Sequence, residues 1–255
     1  MSIEDAKRLL VFVAHPDDEV ISCGVLLQRV PNALVVFAVD GAPAGYGFER
    51  KFGSLKNYSD ERFKEASRAL ALARNCSFRR LQSPRGAHFP DRHLFDHLEA
   101  ASDSLLTIAK EFMPDAIVAH AFEGGHLDHD ACNVLASHTT KTLSLPHFEF
   151  PLYWKSEKGS DVFQQFRNPQ DGEIIVNPSE AEFVIKNRML AEYKSQRDIV
   201  AVFSSSHERF RPALPYDYSQ PPWNSPYPGN WRNRRDARKA LQRFAEFHQR
   251  SSYLD

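Results

Sequence analysis

The sequence predicts an α/β fold: a Rossmann-like, mostly parallel sheet flanked by helices, followed by an irregular C-terminal segment rich in proline and aromatic residues. Three observations predict it. Short apolar runs over 9–14, 33–39 and 115–120 have the length and composition of strands buried on both faces. Segments with apolar residues at helical spacing lie between them. The runs end in polar or turn-forming residues, so polar side chains gather at the carboxyl ends of parallel strands, where open α/β sheets bind their ligands.

Residues 9–14 form the first strand, which stops at His15-Pro16-Asp17-Asp18-Glu19. Pro16 suits the first turn of a helix, where its missing N–H costs nothing, and Val20, Ile21, Val25 and Leu26 continue at helical spacing. The second strand, 33–39, ends at Asp40-Gly41-Ala42-Pro43. The loop over 41–58 is long for a compact domain and carries Tyr46, Phe48, Phe52 and Tyr58, which makes it a segment to cover substrate. Ser59 is placed to cap a helix through Ala66, Ala69, Leu70 and Leu72, and 78–81 suit a short strand. Asp91 is placed to cap a longer helix through Leu94, Phe95, Leu98, Ala101, Leu105 and Ile108, ended by Met113-Pro114.

The strand over 115–120 leads into Glu123-Gly124-Gly125-His126-Leu127-Asp128-His129-Asp130, whose glycines allow a tight turn into a helix begun by Ala131, Val134 and Leu135. Residues 148–154 and 173–176 read as strands, and Ser179-Glu180-Ala181-Glu182 is a capping box opening a helix to about Tyr193. Residues 209–231 are too aromatic for a linker and read as an ordered meander wrapping the core, with a partner-binding polyproline segment as the alternative. Residues 232–250 read as a basic helix with Ala237, Leu241 and Phe244 on one face and solvated charge on the other.

A chain of 255 residues, 42% hydrophobic and 25% charged, suits a single domain over 1–255, with a core over about 7–200 and a wrapping segment over about 205–255. Lys plus Arg number 32 against 33 Asp plus Glu; the net charge of −1 speaks against a general nucleic-acid or anionic-membrane binder. The N-terminal stretch is too short and acidic for a signal peptide, and no apolar run reaches membrane-spanning length. Cys23, Cys76 and Cys132 sit in apolar patterns, as reduced thiols of a cytoplasmic protein do. No Gly-x-Gly-x-x-Gly follows the first strand, which argues against a dinucleotide site.

His15 and Asp18, three apart, can reach one point, while Asp17, beside Asp18, must face elsewhere and is free for another task. Taken alone, this stretch fits equally a helix cap beside a histidine that satisfies a loop carbonyl. The second cluster changes the balance: His126 and His129 lie one helical turn apart at the equivalent place in another βα unit. His15, Asp18 and one of the later histidines make a two-histidine, one-carboxylate set with an open position. Zinc in such a set acidifies water and polarises a carbonyl; Asp17 can then take the proton, and His126 can donate to the leaving nitrogen or stabilise the oxyanion. These parts add up to metal-assisted amide hydrolysis.

Ala14-His15-Pro16-Asp17-Asp18-Glu19 and Gly125-His126-Leu127-Asp128-His129 together resemble the two signatures of the LmbE-like or PIG-L family of zinc-dependent N-deacetylases. The resemblance covers the chain up to about Ala136, with weaker echoes in Tyr193-Lys194-Ser195-Gln196 and Glu208-Arg209-Phe210. It implies His15, Asp18 and His129 as ligands of zinc, or of another divalent metal in its place. It further implies Asp17 as general base and His126 as the oxyanion-stabilising acid, oriented by Asp128. Arg62-Phe63-Lys64-Glu65 is similar to the family's Arg-x-x-Glu helix and implies that Arg62 binds substrate hydroxyls; without the family, Arg62 reads as a surface ion pair with Glu65 or Asp60. Asp91, after Phe89-Pro90, is matched to a sugar-contacting acid, and Leu127 stands where the family usually has proline.

The implied activity is hydrolytic removal of an N-acetyl, or similar small acyl, group from an amino sugar such as N-acetylglucosamine or from a sugar-conjugate amide. The implied partner is that small molecule, with no nucleic acid and no membrane; homo-oligomerisation is left open. Two other readings use the same residues. A non-haem Fe(II) oxygenase shares the ligand types but normally sits on a β-barrel, against the β/α alternation here. A non-catalytic binding module has no need of Asp17 and His126.

Overall fold

The computed structural model describes residues 2–204, 206–222 and 234–252. Strands β1 (Arg8–Val13), β2 (Asn32–Phe37), β3 (Cys76–Arg80), β4 (Ala116–His120) and β5 (His147–Phe150) run parallel in the spatial order β3-β2-β1-β4-β5. β6 (Tyr153–Lys155) and β7 (Asp161–Phe163) pair as a separate hairpin. β8 (Ile174–Val176) and β9 (Glu208–Pro212) extend the sheet antiparallel, β9 against β5 and β8 at the edge. The sheet is mostly parallel and helices cover both faces, as the unbroken apolar strands require.

β1 shows how the two cores divide. Leu9, Val11 and Val13 face a cluster with Val20, Ile21, Phe63 and Met189, contributed by α1 (Asp18–Cys23), α4 (Leu55–Ala71) and α7 (Glu180–Ala191). Between these helices lie α2 (Leu26–Arg29) and α3 (Phe48–Phe52). Leu10 and Phe12 face the opposite cluster with Leu98, Leu105, Val134 and Phe244, from α5 (Leu98–Phe112), α6 (Leu127–Leu143) and α9 (Arg234–Ser252). A four-residue helix, α8 (Arg197–Val200), follows α7. Successive side chains of a strand point to opposite faces, so one apolar hexapeptide nucleates both layers.

Several boundaries differ from the sequence reading. The helix after β1 begins at Asp18, outside Pro16, and breaks at Gly24-Val25 because the Glu208 carboxylate accepts the Val25 and Leu26 amides at 2.6 and 3.0 Å. α4 begins four residues before Ser59: Ser54 caps it, accepting the Asn57 amide at 3.1 Å, and Ser59 donates its hydroxyl to the Asp40 carbonyl. Asp91 caps no helix; a 3₁₀ turn at Leu94–Asp96 precedes α5, and the Asp91 carboxyl is buried in the cleft. α6 begins at Leu127 rather than at Ala131. The stretch 148–154 is two strands, because the Leu152 amide turns away to Glu123 at 3.1 Å.

The expected meander over 209–231 opens as β9, a strand of the main sheet, and residues 223–231 of it lie outside the described residues. The basic helix, α9, buries Ala237 and Phe244 while Arg243 pairs with Glu99 at 2.8 Å. Among the described residues, no helix is long and apolar enough to cross a membrane.

Candidate active site

From β1 the chain steps outward to β2 and β3, then returns to place β4 on the other side of β1. The crevice beyond the carboxyl ends of β1 and β4 is therefore a topological switch point, where such sheets bind ligands. His15 follows β1, His120 ends β4, and the 121–126 turn delivers His126 and His129 at the start of α6. A cavity of about 250 Å³ opens there, with His15, Asp17, Asp18, Asp91, His126 and His129 in its lining.

Three atoms at the floor form a nearly equilateral triangle. His15 Nδ1 lies 3.2 Å from Asp18 Oδ2 and 3.3 Å from His129 Nε2, and the third side, His129 Nε2 to Asp18 Oδ2, is 3.6 Å. Ligand atoms of a tetrahedral zinc, with bonds of about 2.0–2.1 Å, stand about 3.3 Å apart, so the triangle has the size of one face of such a site. The other nitrogen of His15, Nε2, is buried without a well-formed hydrogen bond, 3.4 Å from both Asp91 Oδ1 and Asp128 Oδ2. That carboxylate pairing leaves Nδ1 as the lone pair facing the triangle, as backing groups do for metal-binding histidines. Asp17, Asp18, Asp91 and Asp128 are all buried here against one buried guanidinium, Arg62, so the cleft is short of positive charge. The triangle fits a divalent cation in size and donor type, and overlapping sets, His15–His126–His129 and Asp18–His120–His129, also bring their ligand atoms within 4.8 Å of one another.

The charge balance shows in the titration of the groups. Burial works against ionised Asp18, yet His129, His120 and His15 outweigh it and hold the carboxyl well below its ordinary range. Burial likewise dominates at Asp17, but there it wins over Arg62, and the carboxyl is pushed up to about 7.

Asp17 occupies an unusual backbone conformation, φ 130° and ψ −34°, and its carboxylate pairs with Arg62 while that of Asp18 meets His15 and His129. Arg62 Nη2 donates to Asp17 Oδ2 at 2.9 Å and to the Pro16 carbonyl at 2.6 Å, while Nη1 donates to the Gly41 carbonyl at 2.6 Å. Only glycine fits at 41, where φ is +65° and a Cβ would stand 2.9 Å from the Pro16 ring. Arg62, expected at substrate hydroxyls, thus directs its fork at the protein and grips Asp17.

His126 stands edge-on to His15, with ring centroids 4.7 Å apart. Its Nδ1 accepts the Asp128 backbone amide at 3.2 Å, which leaves the ring hydrogen on Nε2. Burial, reinforced by His15 and His129, holds this ring well below its ordinary pKa and keeps it neutral. Asp128, expected to orient His126, meets it through its backbone amide; its carboxylate accepts the Arg92 and Leu94 amides at 2.5 and 3.1 Å and faces His15, with His126 Nδ1 4.0 Å away.

Residues 10–140, more than half of the 255-residue chain, match the model of the PIG-L family, described as GlcNAc-PI de-N-acetylase. The chain belongs to the PIG-L family. No curated protein sequence matches it. Among similar solved structures, the zinc-inhibited form of teicoplanin deacetylase Orf2 shares 21% identity over 82% of this chain and 99% of that one, with a TM-score of 0.61. The N,N'-diacetylchitobiose deacetylase from Pyrococcus horikoshii, complexed with its inhibitor MPG, shares 18% over 82% and 84%, at 0.60. GalB, the 4-carboxy-2-hydroxymuconate hydratase from Pseudomonas putida, shares 14% over 83% and 98%, at 0.52. At such identities the likeness is one of fold, and the hydratase makes the point that chemistry has to be argued from the site.

This PIG-L cleft also contains groups that motif reading passes over. His120 stacks flat on His129, centroids 4.0 Å apart and planes 6° apart, accepts the Ala14 amide at 3.2 Å and places Nε2 3.4 Å from Asp18. Its one signal is its place as the last residue of an apolar strand. Tyr153, Ile199 and Phe203 line the cavity from segments with no motif, and Gln196 from the weak family echo over 193–196. The 41–58 segment, expected as a loop, is helical over Phe48–Phe52 and from Leu55 on, and it lines the cavity with a wall in which Phe48 stacks on Tyr58 at 4.1 Å and the Arg92 guanidinium covers Tyr46 at 4.7 Å.

Proposed function

We propose that this PIG-L chain is a zinc-dependent N-deacetylase that removes an acetyl, or similar small acyl, group from an amino sugar or sugar conjugate. The observation that carries the reading is the placement of Asp17, a carboxylate that is not part of the His15–Asp18–His129 triangle but is locked at its edge by Arg62. His15, Asp18 and His129 would hold the metal, which, when bound, supplies Lewis acidity that polarises the amide carbonyl and acidifies water.

The remaining work falls to the chain. Asp17 takes a proton from the attacking water as the new C–O bond forms, and passes it to the nitrogen as the C–N bond breaks, releasing acetate and the free amine. His126, neutral and carrying its hydrogen on Nε2, donates a hydrogen bond to the oxyanion rather than a proton. Arg62 keeps the Asp17 carboxylate in place. Asp91, beside His15, offers its carboxyl to substrate hydroxyls. A polar floor under aromatic and aliphatic walls suits a sugar, whose edges hydrogen-bond and whose C–H faces stack on rings.

The test compares acetate release by zinc-loaded protein from N-acetylglucosamine and its glycosides with release from acetanilides and acetyl-lysine peptides. Preference for the sugar amides is expected. Preference for aryl or peptide amides would remove the sugar assignment, and no release from any amide would remove the deacetylase reading.

A further inference from the structure

The unusual backbone of Asp17 is held by groups that lead away from the motif. The Asp17 amide donates to Glu19 Oε2 at 3.0 Å, and Glu19 is fully buried. Its other oxygen accepts the hydroxyl of Tyr193, itself buried and 174 positions along the chain. Two residues further on, the Ser195 amide and hydroxyl both donate to Glu65, at 2.8 and 2.6 Å. Glu65 sits on α4 within one turn of Arg62. The next residue, Gln196, donates its side-chain amide to the Tyr58 hydroxyl, on the ring that Phe48 stacks against.

We propose that residues 193–196, the turn after α7, form a latch that positions the catalytic apparatus: Tyr193 sets the Asp17 backbone through Glu19, Ser195 sets the helix of Arg62 through Glu65, and Gln196 sets the aromatic wall through Tyr58. The proposal rests on the deacetylase reading for its kinetic consequences but not for its structural ones. All four residues lie outside the 10–140 span that matches the family model, in the stretch that echoes the family only weakly. A segment that served packing alone would bury apolar side chains. This one sets hydroxyl and amide tips against two elements of the cleft, the start of α1 through Glu19 and two sites on α4, Tyr58 and Glu65, and directional polar contacts fix orientation where apolar contacts fix only proximity. Glu19 is the central joint, since a carboxylate with both oxygens engaged cannot rotate without leaving one buried group unpaired.

The test uses the full-length, zinc-loaded chain with Tyr193→Phe, Ser195→Ala and Gln196→Leu. Hydrogen exchange read over a peptide spanning 14–20 should speed up about five- to tenfold in Tyr193→Phe, the effect of one net hydrogen bond, while peptides from β4 and the zinc content stay as in the parent. Its kcat should fall by a similar factor at constant KM, whereas Gln196→Leu should raise KM and spare kcat. Glu19→Gln should keep most of the parent exchange and kcat, because an amide can still accept from Asp17 and donate to the Tyr193 oxygen; Glu19→Gln combined with Tyr193→Phe should not. Unchanged exchange over 14–20 in Tyr193→Phe overturns the latch whatever the activity. Faster exchange in a protein that hydrolyses no amide leaves the latch standing and removes the deacetylase reading. If Tyr193→Phe fails to fold, Ser195→Ala, at a half-buried position, decides: it should lower kcat severalfold, and parent-like kcat and exchange over α4 overturn the proposal.

Discussion

Arg62 and Asp17 form a buried ion pair across 2.9 Å, and the same guanidinium nitrogen also holds the carbonyl of Pro16, the residue before Asp17. Side chain and backbone of the proposed base are thus fixed by one planar group. Asp17→Asn should keep a full complement of zinc and lose activity by about a hundred- to ten-thousandfold, since it removes a proton acceptor and no ligand. Arg62→Lys should also keep zinc and lose about ten- to a hundredfold in kcat, because an ammonium cannot bridge Asp17, Pro16 and Gly41 as a fork does. Elemental analysis with steady-state kinetics checks both; loss of zinc in Asp17→Asn would mean that Asp17 and Asp18 have exchanged roles.

His15→Ala and His129→Ala should abolish stoichiometric zinc binding, while His120→Ala should weaken it by about ten- to a hundredfold and still reach one equivalent at saturation. His120 supports His129 by stacking and lies beside Asp18, as groups behind a ligand shell do. Competition titration with a chromophoric chelator separates these outcomes, and equal loss in all three variants would make His120 a ligand itself.

Gly125 allows no side chain: a Cβ there would stand 1.8 Å from the Tyr153 carbonyl oxygen. Gly125→Ala should therefore push β6 off the turn that delivers His126. The expected result is a fall in kcat of at least about tenfold with zinc still bound through His15, Asp18 and His129. A variant with parent kinetics would show that the turn can move without cost.

Lys186 and Glu208 pair at 2.7 Å with both side chains fully buried, and Lys186 also donates to the Ile21 carbonyl at the end of α1. Lys186→Met leaves a buried carboxylate without its partner and should cost about 3–5 kcal/mol in denaturant unfolding. Lys186→Met with Glu208→Gln should recover part of that loss, because the new side chain amide is uncharged and its oxygen could still accept the Val25 or Leu26 amide. A double variant no more stable than the single would place the cost in packing.

His147, at the start of β5, has a buried Nε2 with no hydrogen-bond partner among the described residues, and burial lowers its pKa to about 4. The unfolded chain binds this proton below about 6.5 and the folded chain does not, so stability falls as pH drops from about 6.5 to 4, by at most about 1.4 kcal/mol per unit. His147→Phe should flatten that part of the pH–stability curve. An unchanged slope would assign the acid sensitivity to other groups.

What the sequence discloses of the fold and of the cleft depends on how local the signal is. β1, β2 and β4 are legible because a strand buried on both faces needs an unbroken apolar run. His15, Asp18, His126 and His129 are legible as a convergent set because each sits within a few residues of such a run's carboxyl end. Asp91 misleads because an acid before an apolar helix looks the same whether it caps the helix or turns into a cleft, and only the intervening 3₁₀ turn decides. β9 reads as meander because Pro212 and its neighbours carry no alternating pattern; its pairing is fixed by β5 and β8. Glu208, Tyr193 and Gln196 act on partners more than a hundred positions away, and no window of sequence contains both ends of those contacts.

The switch point between β1 and β4 also governs how the molecule comes together. Arg8 and Asp115, which join these strands at their entry, are 107 positions apart. His15, Asp17 and Asp18 lie before that seam and His126 and His129 after it, so neither half of the chain carries the whole set. Closing so large a loop is entropically slow and gains little until the neighbouring strands dock. Completeness is accordingly settled late in the chain: a polypeptide still short of β4 and α6 carries His15, Asp17 and Asp18 but lacks His129, and so has two of the three proposed ligands without the third.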